Sequence, residues 1–268
     1  GGFGHALKRI SGVYYQQIFE PGQDGAKPKP YVLLPPLEAD SQYRPGQVFS
    51  CELTLFGQGG ELFPVCHAAL EFLGREMGLG SNLGKYTVEQ VEQAVPIGST
   101  QASAQGQPVT YWDIANTSGG LANADRLTVH LPTRLRLKDK GHLLPHPPEF
   151  ALFLWRLIGR VNTLSTLYGQ GKAIPAEDVR LLVQLAQDTI QLDHAATDAR
   201  WQDLPRFSGR QRQWMQFGGL LGSITWQGNP GAFLPFLPIL TLGEWMHIGN
   251  KSSFGLGKYV LARKPTGY

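Results

Sequence analysis

Apolar and polar residues alternate most regularly at two places in the chain. In residues 47–56 (QVFSCELTLF), Val48, Ser50, Glu52 and Thr54 oppose Phe49, Cys51, Leu53 and Leu55. Residues 127–137 (LTVHLPTRLRL) repeat that period of two. Successive strand side chains point to opposite faces, so both segments predict strands. Weaker alternation predicts strands over 13–19, with Tyr14, Tyr15 and Phe19, and over 86–95. A short extended piece at 31–34 ends at Pro35-Pro36, and a closing strand is expected over 258–263. Helical spacing places Val65, Ala69, Phe72 and Leu73 on one face of a helix over 62–77, stopped by Gly78 and Gly80. Residues 6–10 read as the tail of a helix. Further helices are expected over 148–168, with Pro148 in the first turn, over 176–190, and over 231–248. Residues 23–30 and 97–120 lack periodicity and read as loops, and 213–227 reads as extended chain broken by Gly218, Gly219 and Gly222.

The first half thus reads helix, strand, strand, helix, strand. The second reads strand, helix, helix, strand or hairpin, helix, strand. Both approximate a β-α-β-β-α-β unit. The expected class is α+β: two tandem ferredoxin-like domains, residues 1–122 and 123–268, the first lacking its first strand.

Composition narrows the classes. The 268 residues are 42% hydrophobic and only 17% charged, with 33 glycines and 19 prolines, which describes a loop-rich globular protein. A net charge of +3 does not by itself declare a nucleic-acid partner. Cys51 and Cys66 form no C-x-x-C pair, which disfavours a zinc ribbon and points to a reduced, cytoplasmic protein. No run of 18 apolar residues is present, so no membrane span is expected; the best stretch, 232–242, is broken by Pro235 and Pro238. The chain opens Gly1-Gly2-Phe3-Gly4, without Met or leader, as expected of a trimmed chain or a piece of a longer polypeptide.

The most informative segment is 242–259, LGEWMHIGNKSSFGLGKY. A helix ends at His247, then a glycine-rich loop carries Lys251, Ser252 and Ser253, and Gly255 and Gly257 lead into the last strand. Glycines let a backbone approach a phosphate, and successive N–H groups cradle anions. The same pattern also serves an ordinary helix-to-strand turn. A nucleotide-triphosphate loop is excluded, because that motif runs from strand to helix. Gly78-Leu79-Gly80 follows a helix, which excludes a dinucleotide turn as well.

This loop resembles the glycine-rich loop near the C-terminus of the RAMP superfamily, and more narrowly that of the CRISPR-associated endoribonucleases that process precursor crRNA. Residues 131–138 (LPTRLRLK), the helix opening Pro148-Glu149-Phe150, the run from Phe207 through Gly222, and residues 45–57 are similar to that family too. The resemblance covers nearly the whole chain and implies two ferredoxin-like domains. It departs from the family in that a first strand should precede the first helix.

The resemblance implies cleavage of CRISPR repeat RNA without metal or other cofactor. A 2′-hydroxyl attacks the neighbouring phosphate, leaving a 2′,3′-cyclic phosphate and a 5′-hydroxyl. The chemistry needs a base, an acid and cations near the phosphorane. Histidine, with an ordinary pKa near 6.5, suits both proton roles. His247 abuts the loop, and His5 lies on the first helix, whose counterpart in the family often carries the catalytic histidine. Tyr14, Tyr15 and Lys251 are candidate helpers. His67, His130, His142, His146 and His194 read as structural or solvated. Two basic clusters are candidates for holding RNA. Arg134, Arg136, Lys138 and Lys140 recur every second residue, which puts them on one strand face. Arg200, Arg206, Arg210 and Arg212 interleave with Trp201, Phe207 and Trp214, a mixture suited to phosphate pairing and base stacking. With Lys251, Ser252, Ser253, Gly255 and Gly257 they make up the expected RNA-binding set. The alternatives are a non-catalytic RNA-binding subunit, or a processing domain fused to or assembled with other CRISPR-associated proteins.

Overall fold

The computed structural model describes residues 1–21, 27–37, 42–80, 82–94, 108–115, 121–169, 171–208 and 213–263. The chain opens with helix α1, Gly2–Ile10, which buries Phe3, Gly4, Ala6 and Leu7 and turns His5, Lys8 and Arg9 outward. Ser11 breaks the helix and starts another. Its hydroxyl accepts from the Tyr14 N–H at 3.4 Å, capping α2, Gly12–Phe19. The strand expected over 13–19 is therefore a helix. Tyr15, Ile18 and Phe19 stand three and four residues apart, a helical stripe, with Ile18 buried and Tyr15 stacked on Phe19 at 5.3 Å.

Strand β1, Tyr31–Leu34, pairs antiparallel with β2, Glu52–Leu55. The strand expected over 47–56 is cut to these four residues. Pro35 and Pro36 end β1 and offer no N–H, so residues 47–51 have no partner there and Val48 is 71% exposed. A 3-10 turn, Gly57–Leu62, feeds α3, Phe63–Phe72, and a π turn, Leu73–Met77, extends it to Gly78 at φ +82°. Described residues 85–94 form no strand; Tyr86 instead donates its hydroxyl to the Leu70 carbonyl at 2.7 Å. The expected long loop contains a short helix, α4, Tyr111–Ala115, whose Asp113 carboxylate accepts from the Thr110 N–H at 2.7 Å. Phe3, Ala6, Leu7, Ile18, Tyr31, Cys66, Ala69 and Leu73 form this half's core.

The second half keeps its expected helices. Strand β3, Arg126–Leu135, is followed by a small hairpin, β4 (Lys138–Asp139) and β5 (His142–Leu143). Helices α5, Phe150–Tyr168, and α6, Ala176–Thr189, lead to β6, Ile190–Leu192, and β7, Arg200–Gln202. A second hairpin joins β8, Pro205–Ser208, to β9, Gln213–Gln216. Then come β10, Gly219–Gly228, helix α7, Leu237–Met246, and the short β11, Val260–Leu261. The sheet order is β11-β3-β10-β6, all antiparallel, with β7 on the free part of β10. Counting the four main strands in chain order, this is fourth-first-third-second, the ferredoxin-like arrangement. The fold is α+β, and its larger core packs Leu127, Val129, Phe150, Phe153, Trp226 and Tyr259 between helices and sheet. Among the described residues no helix is long and apolar enough to cross a membrane.

The two halves meet at several points. A Cβ on Gly57 would lie 1.8 Å from the Tyr168 carbonyl oxygen, so only glycine fits there. Arg160 of α5 donates to the Met246 carbonyl at 2.8 Å and lies 5.8 Å from the Phe56 ring centroid. Lys258 pairs with Glu52 at 3.4 Å.

Candidate active site

Helix α7 hands over to the glycine-rich loop at His247, whose φ of +55° and ψ of 160° turn the chain sharply. Gly249, Lys251, Gly255 and Gly257 also have positive φ. The loop is fastened to the C-terminal end of β3 and the residue just beyond it. Arg136 O accepts from Asn250 N–H at 2.9 Å, and Arg134 O accepts from Gly257 N–H at 3.0 Å. The Thr133 hydroxyl donates to Gly255 O at 2.9 Å and accepts from Lys258 N–H at 2.9 Å. On its other side the loop rests on β1: a Cβ at Gly255 would meet Leu33 O at 3.0 Å and Pro35 Cδ at 2.7 Å. The loop is thus wedged between the halves. Gly255 and Gly257 are buried, and Ser252 is 7% exposed. Lys251 is exposed, and Ser253 lines an open groove.

His247 is 1% exposed, with Nδ1 donating to the Leu256 carbonyl at 3.2 Å. Burial, reinforced by the charges of Lys258 and Arg160, pulls its pKa down to about 3. The imidazole is neutral near neutrality and faces the underside of the loop. His5 is the opposite case, exposed on the outer face of α1. One turn further along the same face are Lys8 and Arg9, and Lys8 Nζ lies 5.3 Å from the Tyr15 ring centroid. Tyr14 of α2 is 41% exposed.

The basic stripe divides. Strand β3 ends at Leu135, Arg134 is half-buried, and Lys138 and Lys140 are exposed. Arg136 is 8% exposed, its guanidinium on the Gly218 carbonyl. The four residues therefore do not share a solvent face: the backbone at Gly218 and Gly219 covers the Arg136 side chain. Arg206 sits in the hairpin strand β8, while Arg210 and Arg212 lie outside the described residues. Trp214 on the facing strand is 70% exposed.

An extended groove borders both halves, and neither His5 nor Lys251 is among its lining residues. Arg134, Phe217, Ser253 and Phe254 line it from the C-terminal half, and Gly1 to Gly4 and Leu33 from the N-terminal half. The first turn of α1 and the glycine-rich loop thus open on the same groove, with β1 between them; Phe3 packs on the Tyr31 ring at 5.7 Å. Thr133, Arg160, Phe217 and Phe254 escaped the sequence reading. Of these, only Thr133 left a signal, a hydroxyl at an inward strand position between Leu131 and Leu135.

Residues 127–259 match the family model of the CRISPR-associated endoribonuclease Cas6, and residues 1–111 match a family described as an N-terminal domain. Solved structures agree in fold. A Cas6 (TTHB231) product complex has a TM-score of 0.59 at 16% identity, over 98% of this chain and 91% of that one. The Thermus thermophilus Cas6 (TTHB231) structure also gives 0.59 at 16%, over 97% and 88%. A partial Cas6-RT-Cas1–Cas2 complex gives 0.57 at 16%, over 98% of this chain and 43% of that one. No curated protein matches the chain. Fold and family match together define an endoribonuclease of CRISPR RNA processing. Its C-terminal part, residues 127–259, belongs to the Cas6 family.

Proposed function

We propose that the chain cleaves CRISPR repeat RNA without a metal ion, in the cytoplasm, with His5 as the acid/base group. The 2′-oxygen attacks the adjacent phosphorus, the bond from phosphorus to the 5′-oxygen breaks, and the products carry a 2′,3′-cyclic phosphate and a 5′-hydroxyl. His5 exchanges a proton with the reacting oxygens, Tyr14 supplies a second hydroxyl, and Lys251 brings positive charge to the phosphorane. Lys251 and Ser253 form the phosphate-facing rim, while Ser252, Gly255 and Gly257, buried and with both glycine N–H groups held by the carbonyls of Ser252 and Arg134, keep the loop in shape. Arg134 in the groove and the hairpin bearing Arg206, Arg210, Arg212 and Trp214 hold the RNA.

The observation that supports this reading is the contrast between the two histidines. His247 is buried with a pKa pulled down to about 3, which unfits it for proton transfer near neutrality. His5 is exposed on the outer, cationic face of α1, beside Lys8 and Arg9. The same module within a longer chain is a second reading, favoured by the fold match to the Cas6-RT-Cas1–Cas2 complex. His5→Ala should lower single-turnover cleavage by about 10²–10⁴-fold with little change in RNA affinity. His247→Gln should cleave in proportion to its folded fraction. Normal cleavage by His5→Ala would remove the first helix from the chemistry.

A further inference from the structure

The glycine-rich loop and the basic hairpin are far apart in sequence, yet both are tied to the end of β3. The main-chain oxygens of Arg134 and Arg136 hold the loop through Gly257 and Asn250. Their side chains reach the other way. Arg134 Nε donates to the Gln202 carbonyl at 3.3 Å, and Arg136 Nη1 donates to the Gly218 carbonyl. Gln202 ends β7 just before the hairpin strand β8, and Gly218 follows the end of β9 at Gln216. The two arginines therefore grip both sides of the hairpin's base.

Packing reinforces the link. A Cβ on Gly219 would fall 2.7 Å from Leu135 O and 3.0 Å from Arg136 Cγ, so the backbone after the hairpin presses on the arginine stem. The Phe217 ring meets Phe254 of the loop at 5.6 Å and 70°, and Lys251 Nζ is 5.8 Å from the Phe217 centroid. The Arg136 Nε is buried without a hydrogen-bond partner. A guanidinium enclosed in this way and committed to a carbonyl has no route to a phosphate unless the loop opens.

We infer that Arg136 is a positioning residue of the cleavage reaction: it sets the spacing between the hairpin that grips RNA and the loop that meets the scissile phosphate, without touching RNA. The inference rests on the reading of those two elements as RNA-binding. Misplacement of a reacting group by about 1 Å can cost on the order of 10²-fold in rate. A shift between hairpin and loop therefore acts on rate more than on binding.

The test uses the full chain with its repeat RNA, comparing wild type, Arg136→Lys and Arg136→Met. Arg136→Lys keeps the charge and loses the forked donor geometry. Its cleavage rate at saturating RNA should fall at least about tenfold, with affinity and the salt dependence of binding unchanged. Arg136→Met should also keep the salt slope. A slope reduced by roughly 0.7–0.9 in Arg136→Met, with near-normal cleavage by Arg136→Lys, would mark a phosphate-binding arginine and overturn the inference. Amide exchange in the free protein covers poor folding of the Met variant. In Arg136→Lys, residues 214–219 and 248–257 should lose protection together while α5 keeps it; equal loss in α5 would reduce the role to general stability and overturn the inference. Wild type that fails to cut repeat RNA would instead overturn the reading beneath it.

Discussion

At the scale of single residues, solvent access separates the two candidate histidines: His247 is buried and His5 is exposed. His247 is attractive in the sequence because it joins a helix end to a glycine-rich loop. Its neighbours Ile248 and Leu256 are buried apolar residues, and Arg160 of α5 lies close by, a packing that no local pattern records. The buried imidazole then becomes a pH-dependent support of the loop. Its folded-state pKa, about 3, lies below the ordinary 6.5, so the unfolded chain takes up the proton first as pH falls. The stability it contributes is complete above pH 6.5 and is lost as pH falls toward 3, at up to about 1.4 kcal/mol per pH unit. Urea unfolding of wild type against His247→Gln, from pH 7 to pH 4, checks this. The wild type should lose the extra stability and the variant should not; parallel curves would show that the imidazole is solvated. Arg136 teaches the same lesson. Strand alternation placed it opposite Leu135 and Leu137, but the backbone at Gly218 and Gly219 covers its side chain, while Gly249 pairs with its main chain.

At the scale of elements, the long periodic segments were legible. Helices α5 and α6 and strand β3 formed close to where expected, because each carries enough apolar period to decide its own state, while the helix expected over 231–248 is α-helical only over Leu237–Met246, after a 3-10 turn at Leu234–Phe236. Short elements were decided by neighbours. The segment 13–19 is rich in aromatic and β-branched residues, yet the Ser11 cap and the Tyr15, Ile18, Phe19 stripe make it helical. Residues 47–51 alternate well and form no strand, since β1 is ended by two prolines. The small strands β6 and β7 alternate over only three residues each, too short a run to declare a strand, and pair where β10 offers an edge. The hairpin of β8 and β9 carries its own prediction. Replacing Arg206, Arg210 and Arg212 by Ala should weaken RNA binding and lower the salt slope by roughly 0.7–0.9 for each phosphate left without its arginine. A filter-binding salt titration reads both, and an unchanged slope would place the hairpin away from RNA.

At the scale of the molecule, charge is divided between the halves. Residues 1–122 carry 7 Lys and Arg against 11 Asp and Glu, while residues 123–268 carry 17 against 10. The modest net charge of +3 thus conceals a basic C-terminal half suited to holding RNA and an acidic N-terminal half that bears the exposed His5. Under the proposed function, grip on the RNA falls to one half and proton transfer to the other, with the glycine-rich loop wedged between them. The central claim is RNA cleavage by an internal 2′-hydroxyl without metal. The direct measurement is analysis of product ends after incubating the chain with repeat RNA in EDTA, beside the same RNA carrying a single 2′-deoxy nucleotide at the cut site. A 2′,3′-cyclic phosphate and a 5′-hydroxyl are predicted from the unmodified RNA, and no cleavage of the deoxy substrate. Cleavage abolished by EDTA, or a product ending in a 3′-hydroxyl, would contradict the claim.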